Sequence, residues 1–300
     1  MPASCQSFAA EASRRRAMQT TRSAVLAYVV LTYGLSWSIW LGGWLLAGQP
    51  DGISDPWMMA AVYAGSFAPG VVGGFLSALE GRHSFGAWLG GFARLRCGWR
   101  AYAVALLPLP IAIAGLTWLL GYTPQAEQGG PPAILFYLTL FPVSIFNGAA
   151  TAIMGAGPLG EEGGWRGFLL PRLLDRMSEL RAATLIGVIW ALWHLPVMSL
   201  FVDWRDGTSL AFYLPTYIIG VIALSYIFTV TWRLGRGSLI PCIWLHGLVN
   251  AIGGLAFNHR AWNSAWSQEA SVWHSLIAFW IVALGLWAAR RSDQIRLSAL

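Results

Sequence analysis

The sequence predicts an all-α protein, a polytopic helical membrane bundle of about eight transmembrane helices with both termini cytoplasmic. Three observations carry this. Of 300 residues, 56% are hydrophobic and only 11% are charged, against about 25% charged in an ordinary soluble domain. Uncharged stretches long enough to cross a bilayer recur along the chain. The basic residues fall almost entirely on one side of the crossings that those stretches define.

A helix rising about 1.5 Å per residue needs about 20 apolar residues to cover a ~30 Å hydrocarbon core. Such segments lie at 23–46, 57–79, 101–122, 132–157, 182–202, 210–232, 238–257 and 271–289. Residues 1–22 are polar and basic with no apolar h-region, which is unlike a secretory signal peptide and predicts a disordered basic tail. The transmembrane domain is then 23–291, with a catalytic-type core at about 150–255, and 292–300 is a short cytoplasmic tail. Between the second and third segments, Phe85, Trp88, Leu89, Phe92 and Leu95 recur at helical spacing. They predict an amphipathic helix on the cytoplasmic interface. Residues 49–56 and 124–132 are rich in Gly, Pro and acids, as turns are. The small-xxx-small pair Gly70 and Gly74 suits close helix packing, within or between chains.

Orientation follows from arginine alone, since the chain has no lysine. Eight crossings put 17 of the 19 arginines on one side and leave only Arg205 and Arg260 on the other. The positive-inside rule makes the arginine-rich side cytoplasmic. The formal charge of +6 then describes a basic face apposed to anionic lipid in the cell membrane. The arginines are scattered loop by loop rather than gathered into one patch, so no nucleic-acid partner is expected. Cys5, Cys97 and Cys242 are too few and too dispersed for a disulfide framework or a thiolate metal site.

Three clusters place ionisable or amide groups among apolar residues, where they are costly enough to mark function. The first is the glycine-rich stretch 155–168, which contains Glu161, Glu162 and Arg166. Six glycines and a proline there predict a broken helix, with the two carboxylates opening its second piece, where helix N–H groups favour negative charge. Glu162 and Arg166 stand at i, i+4 and can pair, leaving Glu161 about 100° round the helix. The second is His194, following Trp190-Ala-Leu-Trp. The third is His246-Gly-Leu-Val-Asn250, whose ends share one helix face. Counted from Arg181 and Arg236, the two histidines lie roughly 20 and 15 Å into the bilayer. Singly, each His reads as a packed imidazole and Glu162–Arg166 as a juxtamembrane ion pair. Jointly, on helices of one bundle, they predict a shared polar site. His83, His259 and His274 sit in loops or at segment ends and receive no role.

A carboxylate beside an imidazole can hold water and take its proton, and a second imidazole with an amide donor can stabilise an oxyanion. The favoured mechanism of this kind requires no cofactor. The same residue types also suit a divalent metal such as zinc, with Glu161, His194 and His246 as ligands. The H-E-x-x-H signature is absent. Water activation by glutamate is the expected chemistry, with metal assistance left open.

The three motifs together resemble the CAAX-protease and bacteriocin-processing (CPBP) family of intramembrane endopeptidases, which includes the type II CAAX prenyl endopeptidases. The family pattern is E-E-x-x-x-R, then F-x-x-x-H, then H-x-x-x-N. Here it reads Glu161-Glu162-Gly-Gly-Trp-Arg166, Trp190-Ala-Leu-Trp-His194 and His246-Gly-Leu-Val-Asn250, within about residues 150–255. The resemblance implies Glu161 as base, His194 helping to hold the water, His246 and Asn250 at the oxyanion, and Glu162 with Arg166 supporting the geometry. It also implies a membrane-associated substrate, either a lipidated CAAX-like protein or a leader peptide. Trp190 departs from the family's Phe, which bears on pocket size. A second reading is a non-catalytic bacteriocin-immunity scaffold or a small-solute transporter with a buried polar site; against transport, the first three segments carry no intramembrane charge.

Overall fold

A computed structural model describes the backbone of residues 3–50, 54–120, 156–200, 207–257 and 268–298, together with positions 146 and 150. Helices joined by turns make up these residues, and no strand occurs among them. Helix α1 (Ala3–Leu46) runs through the stretch expected as a tail and into the first crossing, Ser23–Leu46. The second crossing, Pro56–Leu79, is α2 (Pro56–Ser66) and α3 (Ala68–Leu79). Asp55 caps α2 by accepting from the backbone N–H groups of Trp57 and Met58. Pro69, which has no N–H to continue the ladder, accounts for the interruption at Phe67.

The helix expected at the interface forms as α4 (Arg82–Ala93), followed by α5 (Trp99–Leu106) and α6 (Pro108–Leu119), which form the third crossing. After these come α7 (Ala156–Gly164), a π turn (Trp165–Leu169), α8 (Leu170–Leu174), α9 (Glu179–Trp193) and α10 (Leu195–Met198). The chain then continues as α11 (Gly207–Leu234), α12 (Ile240–Phe257) and α13 (Gln268–Ser298).

Among the described residues, five helical stretches are long and apolar enough to cross a membrane: the three above, Leu210–Leu234 and Val272–Ser292. The chain is an integral membrane protein. Of the other three expected segments, 132–157 lies outside the described residues except at positions 146, 150, 156 and 157. The segment 182–202 is divided at His194 into α9 and the four-residue α10. The segment 238–257 is the 18-residue α12, Ile240–Phe257, which carries no charged residue.

The glycine-rich stretch corrects one expectation. It does not break at the carboxylates: the backbone is helical from Ala156 through Leu174, and Glu161 and Glu162 fall in the second turn of α7. Each glycine costs a helix up to about 1 kcal/mol relative to alanine, but here the glycines let neighbouring elements touch backbone to backbone. A Cβ on Gly70 would stand 2.5 Å from the Gly160 carbonyl oxygen, and one on Gly164 would stand 2.4 Å from the Pro69 carbonyl. Helix α7 is therefore pressed against α2 and α3, with α12 also packed on it. The Gly70 and Gly74 pair works within the chain, since a Cβ on Gly74 would strike the Trp88 ring at 2.9 Å.

Candidate active site

Burial is the first property of the site. Glu162 and Arg166 are fully inaccessible, while Glu161 and His246 are 4% and 3% exposed. Charges so placed persist only when paired. Arg166 Nη1 donates to Glu162 Oε1 at 3.0 Å, the i, i+4 pair that the sequence predicts. The same oxygen accepts from Nδ1 of His246 at 2.7 Å. One carboxylate oxygen thus ties α7, the π turn and α12 together. The rest of the guanidinium lies over aromatic faces, 4.0 Å from the Phe228 ring centre and 4.6 Å from that of Trp190. Those faces attract the cation where no hydrogen-bond acceptor stands at Nε or Nη2 among the described residues.

The π turn follows from Pro171. A proline lacks the N–H that would bond to Gly167, and its ring crowds that carbonyl. Widening the turn resolves the conflict, and the Leu170 N–H reaches back to the Trp165 carbonyl. Turns of this kind inside helices are frequent at functional sites, and this one carries Arg166.

Glu161 points elsewhere, as its position round the helix requires. Its Oε2 accepts from the Trp190 indole N–H at 2.6 Å and more weakly from Trp165 at 3.4 Å. Its Oε1 faces His246 Nε2 across 3.9 Å, too far for a direct hydrogen bond. A Cβ added to Gly157 would lie 3.0 Å from Glu161 Oε1, 3.5 Å from Asn250 Nδ2 and 3.7 Å from His246 Nε2. A methyl-sized volume beside Gly157 is thus bounded by a base, an imidazole nitrogen and an amide donor.

His194 sits at the join between α9 and α10. Pro196 ends the α-helical ladder there, and the His194 N–H turns to Ala191 at 3.1 Å instead of Trp190. The Trp190 carbonyl accepts from His194 Nδ1 at 2.8 Å. A carbonyl only accepts, so Nδ1 carries the proton and Nε2 has its lone pair free. The Trp190 ring lies between the two imidazoles, its centre 6.0 Å from that of His194 and 5.3 Å from that of His246, and the Tyr217 ring packs 5.8 Å from His194.

The six residues singled out from sequence therefore gather round one centre, with Asn250 the exposed member. Sequence reasoning missed two further participants. Trp190 was read as packing, yet its N–H holds Glu161; the exchange of Phe for Trp was the available signal, because only Trp brings a donor. Gly157 leaves no signal in one sequence beyond its place in a glycine-rich run. Among the described residues no three His, Cys, Asp or Glu side chains converge closely enough to hold a metal ion. Glu161, His194 and His246, the candidate ligands if a metal is bound, form no such group. Cys97 and Cys242 are free and buried.

Residues 143–252 match the family described as type II CAAX prenyl endopeptidase Rce1-like. The matched segment is the one that carries the site. A curated relative, CAAX prenyl protease 2 of Methanococcus maripaludis, is 31% identical over 94 residues, which are 30% of this chain. The match spans 34% of that relative's length. Residues 143–252 contain Glu161, Glu162, Arg166, Trp190, His194, His246 and Asn250, the residues whose contacts define the centre.

Proposed function

We propose that this chain is an intramembrane endopeptidase that hydrolyses a peptide bond of a membrane-associated substrate, a lipidated CAAX-like protein or a leader peptide, on its arginine-rich cytoplasmic side. The observation that carries this reading is the convergence of Glu161 Oε1, His246 Nε2 and Asn250 Nδ2 on the volume beside Gly157. A water there gives one proton to Glu161 and directs the other at His194 Nε2. Its oxygen adds to the substrate carbonyl, which becomes a tetrahedral oxyanion. Asn250 Nδ2–H and the protonated Nε2 of His246 donate to that oxyanion, and Glu162 balances the imidazolium charge through Nδ1. Glu161 then passes its proton to the departing amine as the C–N bond breaks. Arg166 pairs with Glu162 and keeps it aimed. The scheme routes no step through a metal.

Glu161→Gln keeps the shape and removes the base. It is expected to abolish cleavage of a farnesylated CAAX peptide in proteoliposomes while leaving expression, insertion and unfolding midpoint near wild type. Retained cleavage by that variant rules the mechanism out.

A further inference from the structure

A cavity of about 810 Å³ opens away from the glutamate–histidine centre, and none of the six site residues lines it. Its depth in the membrane is set by the crossings that wall it. Ala24 stands at the start of the first, Ser77 and Glu80 at the end of the second, and Trp232 and Arg233 at the end of Leu210–Leu234. It therefore lies where apolar helix gives way to water, on the side where the arginines collect. Trp88 and Trp232 line it as well, and tryptophan favours headgroup depth.

Four arginines, Arg94, Arg172, Arg233 and Arg236, face two carboxylates, Glu80 and Asp175, which leaves a net positive charge. Their hydrogen bonds decide which of them is available. Arg172 is committed: its guanidinium bonds to both Glu80 oxygens, to Ser84 and to the Phe168 carbonyl. Arg233 uses Nε on Glu179 at 3.0 Å. Arg94 donates one nitrogen to the Arg236 carbonyl, fixing a residue held at φ 50°. The guanidinium of Arg236 makes no hydrogen bond or ion pair among the described residues. Donors on Arg94, Arg233 and Arg236 thus face a headgroup-sized volume.

We propose that this cavity binds the phosphate headgroup of an anionic phospholipid. Basic pockets between helices at the cytoplasmic boundary attract such headgroups, and guanidinium matches phosphate geometry. A free phosphate would offer the same chemistry, but the position at the bilayer edge favours the lipid.

Native mass spectrometry of the full chain in mild detergent, with equimolar phosphatidylglycerol and phosphatidylcholine of identical acyl chains, tests this. Wild type is expected to retain phosphatidylglycerol with about tenfold preference. Arg236→Gln, an exposed change that breaks no contact, lowers the preference, and Arg94→Gln with Arg236→Gln brings it close to one. Arg100→Gln, on the same face but outside the cavity, leaves it unchanged, as does excess glycerol 3-phosphate. Equal retention of the two lipids by wild type overturns the proposal. So does an undiminished preference in the Arg236 and double variants, an equal loss in Arg100→Gln, or displacement by glycerol 3-phosphate, which marks a soluble-phosphate site.

Discussion

The indole of Trp190 donates to Glu161 Oε2 at 2.6 Å, and the carbonyl of the same residue accepts from His194. One residue of α9 therefore fixes the proposed base and the imidazole beside it in a single geometry. The family pattern places Phe at this position, which keeps the ring and lacks the N–H.

Trp190→Phe restores the family residue and removes that hydrogen bond. A hydrogen bond to a charged group contributes about 1.5–3 kcal/mol, so kcat/KM for a CAAX peptide should fall about tenfold or more, without complete loss. Unfolding should shift little, because an aromatic ring still packs on Phe228 and His246. Unchanged kcat/KM would remove Trp190 from the account.

The two adjacent glutamates should separate cleanly. Glu162→Ala leaves Arg166 buried without its counter-charge, a class of change that costs roughly 3–5 kcal/mol. A large drop in unfolding midpoint and loss of folded yield are expected in detergent. Glu161→Gln leaves the Glu162–Arg166–His246 connection untouched and should stay close to wild type in the same measurement. Equal destabilisation by both would contradict the division of labour.

Gly157→Ala tests the volume at the centre of the site without altering any polar group. Its methyl group occupies the space between Glu161, Asn250 and His246, 3.0 Å from the carboxylate. Activity is expected to fall at least a hundredfold, in line with the cost of misplacing reacting groups by about 1 Å, while the protein still folds. Near-normal turnover would mean that the reacting water sits elsewhere.

Exhaustive chelation should leave proteolysis intact, since the proposed water activation uses Glu161 as its base and calls on no ion. The check is activity before and after dialysis against chelator, alongside metal analysis of the purified protein. Loss of activity with recovery on adding zinc would require a different arrangement of Glu161, His194 and His246.

Outside the membrane-spanning segments, Glu80 gives a pH signature. Burial pushes its carboxyl up, but hydrogen bonds from Arg172 and Ser84 and the charge of Arg172 outweigh it and hold the group below the ordinary value of 4.5. A depressed folded-state value means that the contribution is present above pH 4.5 and is lost as pH falls through the lower folded value. The pair is partly exposed, so the effect is small. The difference in unfolding midpoint between wild type and Glu80→Gln should shrink on acidification below that pH. A difference that grows instead would show that the sign is wrong.

The ordered motifs were legible because an ionisable group among apolar residues is conspicuous in any sequence. Glu161, Glu162, Arg166, His194, His246 and Asn250 could be listed, and the Glu162–Arg166 pairing foretold, from spacing alone. The partners of Glu161 were not legible. Spacing rules operate within one helix, whereas Trp190 meets Glu161 from α9, and only the packing of α7 against its neighbours brings them into contact. Glycine was misread for a related reason. Its low helix propensity suggested a break at 155–168, but propensity is a weak local preference that close backbone packing overrode. Segment 182–202 shows a third limit: its apolarity was plain, but the division between α9 and α10 at His194 was not.

The uneven surroundings of the glycines bear on any attempt to make this protein hardier. Swapping glycine for alanine within helices is a common route to thermostable variants. Gly86, Gly90, Gly115 and Gly285 have open space where the new methyl would go, so they suit that treatment. Gly70, Gly160 and Gly164 have a neighbour's backbone there instead, and the same swap at those three would wedge the bundle apart around its own chemistry.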